Sequence, residues 1–188
     1  QQILKTQAEY LSRKYHCVVT NPPYLGKGFG DALKNYVDNE YPNSKADTMT
    51  VFMERCLELC KTKGKLSMIN LPSWMFLGAF EKLRGRLIEH THIDSLLHMG
   101  RGIFGIDWGS TAFVISNTTN KTLGSYYRLH KRNFQHIYPD HIGQLFLQVC
   151  ENKNLRFNFD SYRDSDVSKI EYYTFENSPK GAILYFSF

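Results

Sequence analysis

The chain has 188 residues, 42% of them hydrophobic, enough for one domain with a real core and a globular fold. A net charge of +5 and a sequence pI near 9.0 suit a polyanionic partner, although many unrelated proteins are as basic. The four cysteines, Cys17, Cys56, Cys60 and Cys150, form no C-x-x-C pair, which argues against a zinc site or a disulfide framework. With no signal peptide and no apolar run long enough to cross a membrane, a reduced, cytoplasmic setting is expected.

In chain order, Ile3, Leu4, Ala8 and Leu11 recur at near-helical spacing and predict a short helix over residues 1–14. It feeds a strand over residues 16–20, in which Cys17, Val18 and Val19 read as the filling of a buried strand. Asn21, Pro22, Pro23 and Tyr24 end that strand abruptly. Two prolines forbid ladder pairing and helix continuation and hold each preceding residue extended, so the carbonyls here are free to face a ligand. In an open α/β sheet the ligand crevice lies beyond the carboxyl ends of the strands, where this segment would sit. The other reading of the four residues is a Pro-Pro turn in which Asn21 satisfies its own backbone.

Leu25 to Gly30, LGKGFG, is a mobile loop by composition and fits a lid better than a phosphate cradle, because NPPY separates its glycines from the strand. A short helix over 32–40 and a turn over 41–45 follow. Asp47 is the expected N-cap of a helix over 48–61 with Val51, Phe52, Cys56, Leu59 and Cys60 on one side, ended by Gly64. This makes Cys56 and Cys60 core thiols. A buried strand over 66–71 is broken by Pro72 and Ser73, on the same side of the sheet as NPPY. A helix over 76–90 turns Phe80, Leu83, Leu87 and Ile88 inward, and strands over 93–99 and 109–116 are close enough to form an antiparallel pair. Gly100, Gly102 and Gly105 spell G-x-G-x-x-G after a strand. Ile106 to Ser116 offers no helix start, however, so no helix N-terminus is available for a pyrophosphate. Alternating strands and helices predict an α/β fold.

The NPPY segment resembles the motif of amino-group DNA methyltransferases that make N6-methyladenine. The order NPPY, long loop, ADTMTVFMERC, GKLSMIN, SWMF with EKLRGRL, IDSLLHMGRGIF and STAFVIS resembles the second half of an adenine-specific methyltransferase domain. SWMFLGAFEKLR and SLLHMGRGIFG are similar to the large methyltransferases of BREX-type phage-defence systems, the PglX family. The resemblance covers residues 18–117. It implies the second half of a Rossmann-like, class I S-adenosylmethionine-dependent methyltransferase sheet, with an antiparallel strand pair near the end and a partial α+β extension. The activity it implies is methyl transfer from S-adenosylmethionine to adenine N6 in flipped-out, double-stranded DNA by a site-specific enzyme of restriction-modification or BREX phage defence, with defence-system proteins as possible partners.

The residue types fit that chemistry. The exocyclic amine of adenine is a weak nucleophile because its lone pair is conjugated into the ring. The resemblance implies that the Asn21 side-chain oxygen and the Pro22 carbonyl accept hydrogen bonds from that amine, on a platform that Pro23 and Tyr24 complete, with Tyr24 stacked on the flipped base. Phe104 matches the family's second aromatic around the base, its alternative being a hairpin core residue. Asn21 and Phe52 match cofactor-site positions, Phe52 against the adenine ring of S-adenosylmethionine, its alternative being plain helix core. Asp47 is either a substrate contact or only the helix cap. No metal is expected, since His90, His92 and His98 lack ligand spacing.

In the family the main cofactor loop and its acidic partner lie upstream of NPPY, and only residues 1–20 precede Asn21 here. The chain is therefore expected to lack the cofactor-binding half, to be inactive in isolation, and to expose a strand edge that favours self-association. Opening at Gln1 and closing on ILYFSF, both ends look cut from something longer. Residues 1–120 are read as the C-terminal portion of the catalytic domain and residues 121–188 as the start of a target-recognition or accessory region. Within the latter, GSYYRLHKRN alternates basic and aromatic residues. Tyr126, Arg128, Lys131 and Arg132, with Lys27 of the LGKGFG loop, are the candidate DNA contacts. The bland alternative is an exposed edge strand. A helix over 141–150, a loop over 152–166 and a strand over 169–175 complete the reading. Two rival functions stay open: a methyltransferase for an RNA base or a protein glutamine, and a catalytically silent DNA-binding module.

Overall fold

The computed structural model describes residues 2–105, 109–120, 124–129, 136–151, 156–157, 172–173 and 184–185. The elements are α1 (Gln2–Ser12), β1 (Tyr15–Thr20), α2 (Asp31–Glu40), α3 (Thr48–Leu59), β2 (Cys60–Asn70), α4 (Glu81–His90), β3 (His92–Gly100), β4 (Ser110–Ser116), β5 (Ser125–Arg128), α5 (Ile142–Glu151) and β6 (Arg156–Phe157). Tyr172–Tyr173 (β7) pairs antiparallel with Leu184–Tyr185 (β8).

Six strands form one sheet in the order β1-β2-β4-β3-β5-β6. β1 runs parallel to β2, and β3 parallel to β5, while β4 is antiparallel to both β2 and β3. β1, β2, β3 and β5 therefore point the same way, and their carboxyl ends, at Thr20, Asn70, Gly100 and Arg128, share one end of the sheet. This is the expected α/β half-sheet with its reversed strand pair. The sheet also runs through β5 and β6, across position 121.

One face of the sheet is closed by α3 and α4. Met49, Met53 and Cys56 of α3 and Leu83 and Leu87 of α4 pack on Leu66, Met68, Phe113 and Ile115 of the strands. Trp74 lies within this core, its ring edge-on to Phe113 at 5.3 Å. The other face holds a smaller cluster of Met99, Ile103, Leu129 and Ile137, against which Ile142 and Leu145 of α5 pack.

Four expectations need correction. β1 is not buried: it is the sheet edge, Cys17 is exposed and Val19 is 72% exposed, because a β-branched pair favours a strand without specifying whether both faces are covered. The third helix stops at Leu59, and Cys60 already belongs to β2. Lys61 to Gly64 bulges out of that strand, since Tyr15 pairs Cys60 while Cys17 pairs Lys65. Lys63 takes a positive φ there, Asn117 closes the bulge by backbone bonds to Lys63 and Gly64, and a Cβ on Gly64 would sit 2.9 Å from the Tyr15 carbonyl. Residues 76–80 are not helix: 3-10 turns span Pro72–Met75 and Gly78–Phe80, and α4 starts at Glu81. Arg84, fully buried, donates to the Trp74 carbonyl at 2.9 Å and the Leu77 carbonyl at 2.6 Å, fixing the non-helical path. Finally, Arg156–Phe157, expected in a loop, pairs with β5. β5 therefore lies inside the sheet and is not an edge strand.

Cys56 and Cys60 are buried free thiols, and burial pushes the Cys60 thiol up to about 11. Among the described residues no group of His, Cys, Asp and Glu is placed to hold a metal, and no helix is long and apolar enough to cross a membrane.

Candidate active site

The segment from Asn21 to Tyr24 leaves the carboxyl end of β1 at the sheet edge. Pro22 is buried, while Asn21, Pro23 and Tyr24 are exposed. Its conformation is set from α3. The Asp47 carboxylate caps that helix by accepting from Met49 N at 2.9 Å, and the same oxygen accepts from Leu25 N at 3.2 Å. Thr48 donates its hydroxyl to the Pro23 carbonyl at 2.7 Å and its N–H to the Leu25 carbonyl at 3.1 Å. The Pro23 carbonyl and the N–H and carbonyl of Leu25 are thus fastened to one helix N-terminus. Asp47 is the cap and a clamp on the segment. Thr48 escaped sequence reasoning, its only signal being a hydroxyl directly after the cap.

The Tyr24 hydroxyl lies 2.9 Å from Asn21 Oδ1 and 3.2 Å from the Ile69 carbonyl of β2, so the ring leans from β1 over the end of β2. Burial raises its pKa above the ordinary 10.0, which keeps the hydroxyl a donor. Donation to Asn21 orients the amide with its oxygen toward Tyr24, and one lone pair of that oxygen stays open. Among the described residues none donates to the Pro22 carbonyl. An exposed amide oxygen and a main-chain carbonyl, both acceptors, therefore stand beside an aromatic ring that is 38% exposed.

Phe104 belongs to the turn between β3 and β4 and is 58% exposed, whereas its neighbour Ile103 is buried. The hairpin-core reading of Phe104 is excluded. The turn is braced by residues 136–137: Ile137 N donates to the Arg101 carbonyl at 2.8 Å, and a Cβ on Gly102, at φ +86, would fall 2.3 Å from the His136 ring. Gly100, Gly102 and Gly105 all have positive φ, and they make this turn and not a phosphate loop. β1 and β3 are three strand spacings apart in the sheet, about 14 Å at the usual separation. Tyr24 and Phe104 thus flank the carboxyl end of β2 from opposite sides.

Phe52 is 39% exposed, because Met49, Met53 and Cys56 form the buried face of α3, so it is not helix core. It lies one turn beyond Thr48, on the side of the helix that holds NPPY. Lys27 is exposed in the LGKGFG loop. That loop is less free than its composition indicated: Leu25 is tied to Asp47 and Thr48, and Phe29 packs on the cluster of Val37, Tyr41 and Val51. A cleft of about 1430 Å³ opens between the loop, α2 and α4, with Lys27, Asp31, Lys34 and Asp38 in its lining.

Tyr126 is a correction. It is 2% exposed in the core and donates its hydroxyl to the Ile93 carbonyl at 2.7 Å, so it contacts no DNA in this fold. A Cβ on Gly124 would sit 2.2 Å from that hydroxyl, which explains the glycine. The Arg128 backbone closes β5 at the carboxyl end of the sheet. Lys131 and Arg132 lie outside the described residues.

The sequence profile of the Eco57I restriction-modification methylase family matches residues 1–104. The chain is 34% identical over 183 residues to the adenine-specific methyltransferase PglX of Lacticaseibacillus casei (strain Zhang), covering 94% of this chain and 14% of that protein. It is 39% identical over 116 residues to the adenine-specific methyltransferase BrxX of Escherichia coli O9:H4 (strain HS), covering 59% of this chain and 10% of the relative. The chain therefore spans a small part of either relative's length. Among solved structures, it resembles the ATP-dependent type ISP restriction-modification enzyme LlaBIII bound to DNA, with a TM-score of 0.63 at 14% identity over 97% of this chain and 13% of that one. It also resembles the M protein of the type I restriction enzyme EcoKI, with a TM-score of 0.60 at 15% identity over 97% of this chain and 46% of that one. At these identities the likeness to both structures is one of fold.

Proposed function

The chain belongs to the Eco57I restriction-modification methylase family, and from that premise we propose that it is the base-holding half of an adenine-specific DNA N6-methyltransferase of a restriction-modification or BREX-type defence system. The observation that carries the reading is the pair of acceptors, the exposed Asn21 Oδ1 and the carbonyl of buried Pro22, to which no described residue donates, beside the exposed Tyr24 ring at the carboxyl end of the sheet. The names of the PglX and BrxX relatives support adenine as the base.

In this reading a flipped adenine stacks on Tyr24 and presents its exocyclic amine to the two acceptors. Each accepted N–H draws the nitrogen lone pair out of conjugation with the ring and aims it outward, which is positioning and electrostatic stabilisation without a general base. The rigid Pro22–Pro23 backbone, clamped by Thr48 and Asp47, holds the carbonyl still while this happens. Phe104 approaches from the other side of β2 to enclose the base. S-adenosylmethionine supplies the methyl group. The residues present fit part of its site, since the exposed Phe52 ring can take an adenine face beside Asn21, while the main cofactor loop belongs to sequence upstream of NPPY in the family. Lys27, Arg128, Lys131 and Arg132 are the proposed phosphate contacts, and residues 121–188 the start of the region that reads the target. Double-stranded DNA and proteins of the same defence system are the proposed partners, and the cytoplasm the proposed compartment.

The test is N6-methyladenine in plasmid DNA from cells carrying the full parent gene with its genomic neighbours, beside an Asn21→Ala version. Methylation should fall roughly a hundredfold or more in the variant, the scale of losing one oriented transition-state partner. Equal methylation in both, or none in either with both proteins expressed, contradicts the reading and directs attention to RNA and protein-glutamine substrates.

A further inference from the structure

Beneath the platform lies a buried polar node. Asn70, the last residue of β2, is fully buried, and its Oδ1 accepts from Trp74 Nε1 at 3.0 Å and from the Thr111 hydroxyl at 2.9 Å. Thr111, also fully buried, is the cross-strand partner of Asn70, and its hydroxyl lies 3.3 Å from the Asn70 carbonyl as well. Among the described residues the Asn70 amide nitrogen finds only thioether sulfurs, Met53 Sδ at 3.3 Å and Met68 Sδ at 3.8 Å. Sulfur is a weak acceptor, so this amide is costly to bury and stabilises poorly for its volume. A leucine would suit the surrounding methionines better. The amide does something else well: it joins α3, β2, the Pro72–Met75 turn and β4 at one point.

That point is one residue from Ile69, whose carbonyl, at 3.2 Å, shares the single Tyr24 hydroxyl proton with Asn21 Oδ1 at 2.9 Å. Pro72 removes a backbone donor just beyond, so the ladder with β4 ends at Asn70 and Thr111, and the side-chain node braces that last pair. Across the turn, Pro72 lies against Gly109 at the start of β4, where a Cβ would approach to 3.0 Å of Pro72 Cγ. The node therefore fixes the strand end lying between the two exposed aromatics.

We propose that Asn70 and Thr111 are positioning residues of the methyl-transfer site, acting through the Ile69 carbonyl on Tyr24 and through Tyr24 on Asn21. The inference rests on the adenine-methyltransferase reading above. The test uses the purified full-length parent protein with any partner it needs, plasmid DNA from a methylation-free host and tritiated S-adenosylmethionine. Thr111→Val removes the hydroxyl at constant volume and leaves Asn70 Oδ1 its bond from Trp74. Trp74→Phe removes the other donor and serves where the first variant melts below the assay temperature. Either change should lower kcat about tenfold or more with the KM for DNA and for cofactor unchanged, as misplacement of a reacting group does. Thr111→Ser, which keeps the hydroxyl, should restore kcat. A purely structural role would lower the melting temperature and leave kcat of the folded enzyme intact. Wild-type kcat in Thr111→Val and Trp74→Phe overturns the inference and leaves the parent activity standing. Failure of the unaltered protein to methylate DNA adenine removes the reading and the inference together.

Discussion

At the amino end of the sheet, Lys65 Nζ donates to Asp94 Oδ2 and to Ser116 Oγ, both at 3.0 Å, and Ser116 donates to the same carboxylate oxygen at 2.6 Å. Buried His92 stands 3.9 Å from the other carboxylate oxygen. Charge and hydrogen-bonding capacity close on themselves there. At the carboxyl end, the exposed Asn21 amide oxygen and the carbonyl of buried Pro22 keep acceptor capacity in reserve, flanked by Tyr24 and Phe104 at 38% and 58% exposure. Asp47 and Thr48 spend their polar groups on the backbone they hold, whereas the tips they hold keep acceptor capacity in reserve. Similar residues stabilise a strand pair at one end and leave open acceptors at the other, and it is that open acceptor capacity on which the proposed site rests.

This contrast predicts different responses to mutation at the two ends. After Asn21→Ala, the largest is at Tyr24: Tyr24→Ala should remove base stacking worth about 1–3 kcal/mol, a loss of roughly ten- to a hundredfold in methylation by the parent enzyme. Tyr24→Phe keeps the ring but drops the hydroxyl that orients Asn21, so its loss should be smaller. Equal losses would mean that the hydroxyl, not stacking, is the main contribution. Next comes Asp47→Ala, which should cost about 1 kcal/mol as a lost helix cap. It should also depress methylation at a temperature where the protein stays folded, because Leu25 N loses its acceptor; a change in stability alone would reduce Asp47 to a cap. The smallest response belongs to the amino end. Asp94→Asn weakens a partly exposed ion pair, and urea unfolding should report a change of about 0–1 kcal/mol with the methylation rate untouched.

The same contrast separates what was legible in the sequence from what was not. Local chemistry was legible: Asp47 before a helical run is a cap, prolines after a β-branched run end a strand, and a glycine triplet that leads into a strand makes a turn. Phe104 was singled out by its place in the resembling motif, and its exposure excludes the core alternative without assigning it a partner. Facts that depend on distant partners were hidden. Tyr126 reads like a DNA-facing aromatic between basic residues, yet strand alternation turns it toward Ile93 once β5 is placed between β3 and β6. Val19 reads as buried, yet β1 is the edge. The early start of β2 was masked because Gly64 looks like a helix stop, when its lack of a Cβ serves close approach to Tyr15. Asn70 gave no signal at all, since a lone asparagine at a strand end acquires meaning only from Trp74 and Thr111.

The central claim is that the carboxyl end of this sheet holds a flipped adenine by its amine. The direct measurement is a structure of the parent protein bound to a DNA duplex carrying its mapped methylation site, with a non-reactive cofactor analogue. The account predicts the target adenine out of the helix, stacked on Tyr24 and enclosed by Phe104, with N6 within about 3.2 Å of both Asn21 Oδ1 and the Pro22 carbonyl. An adenine that remains in the duplex, or one flipped into a pocket that leaves those two acceptors bare, would contradict it.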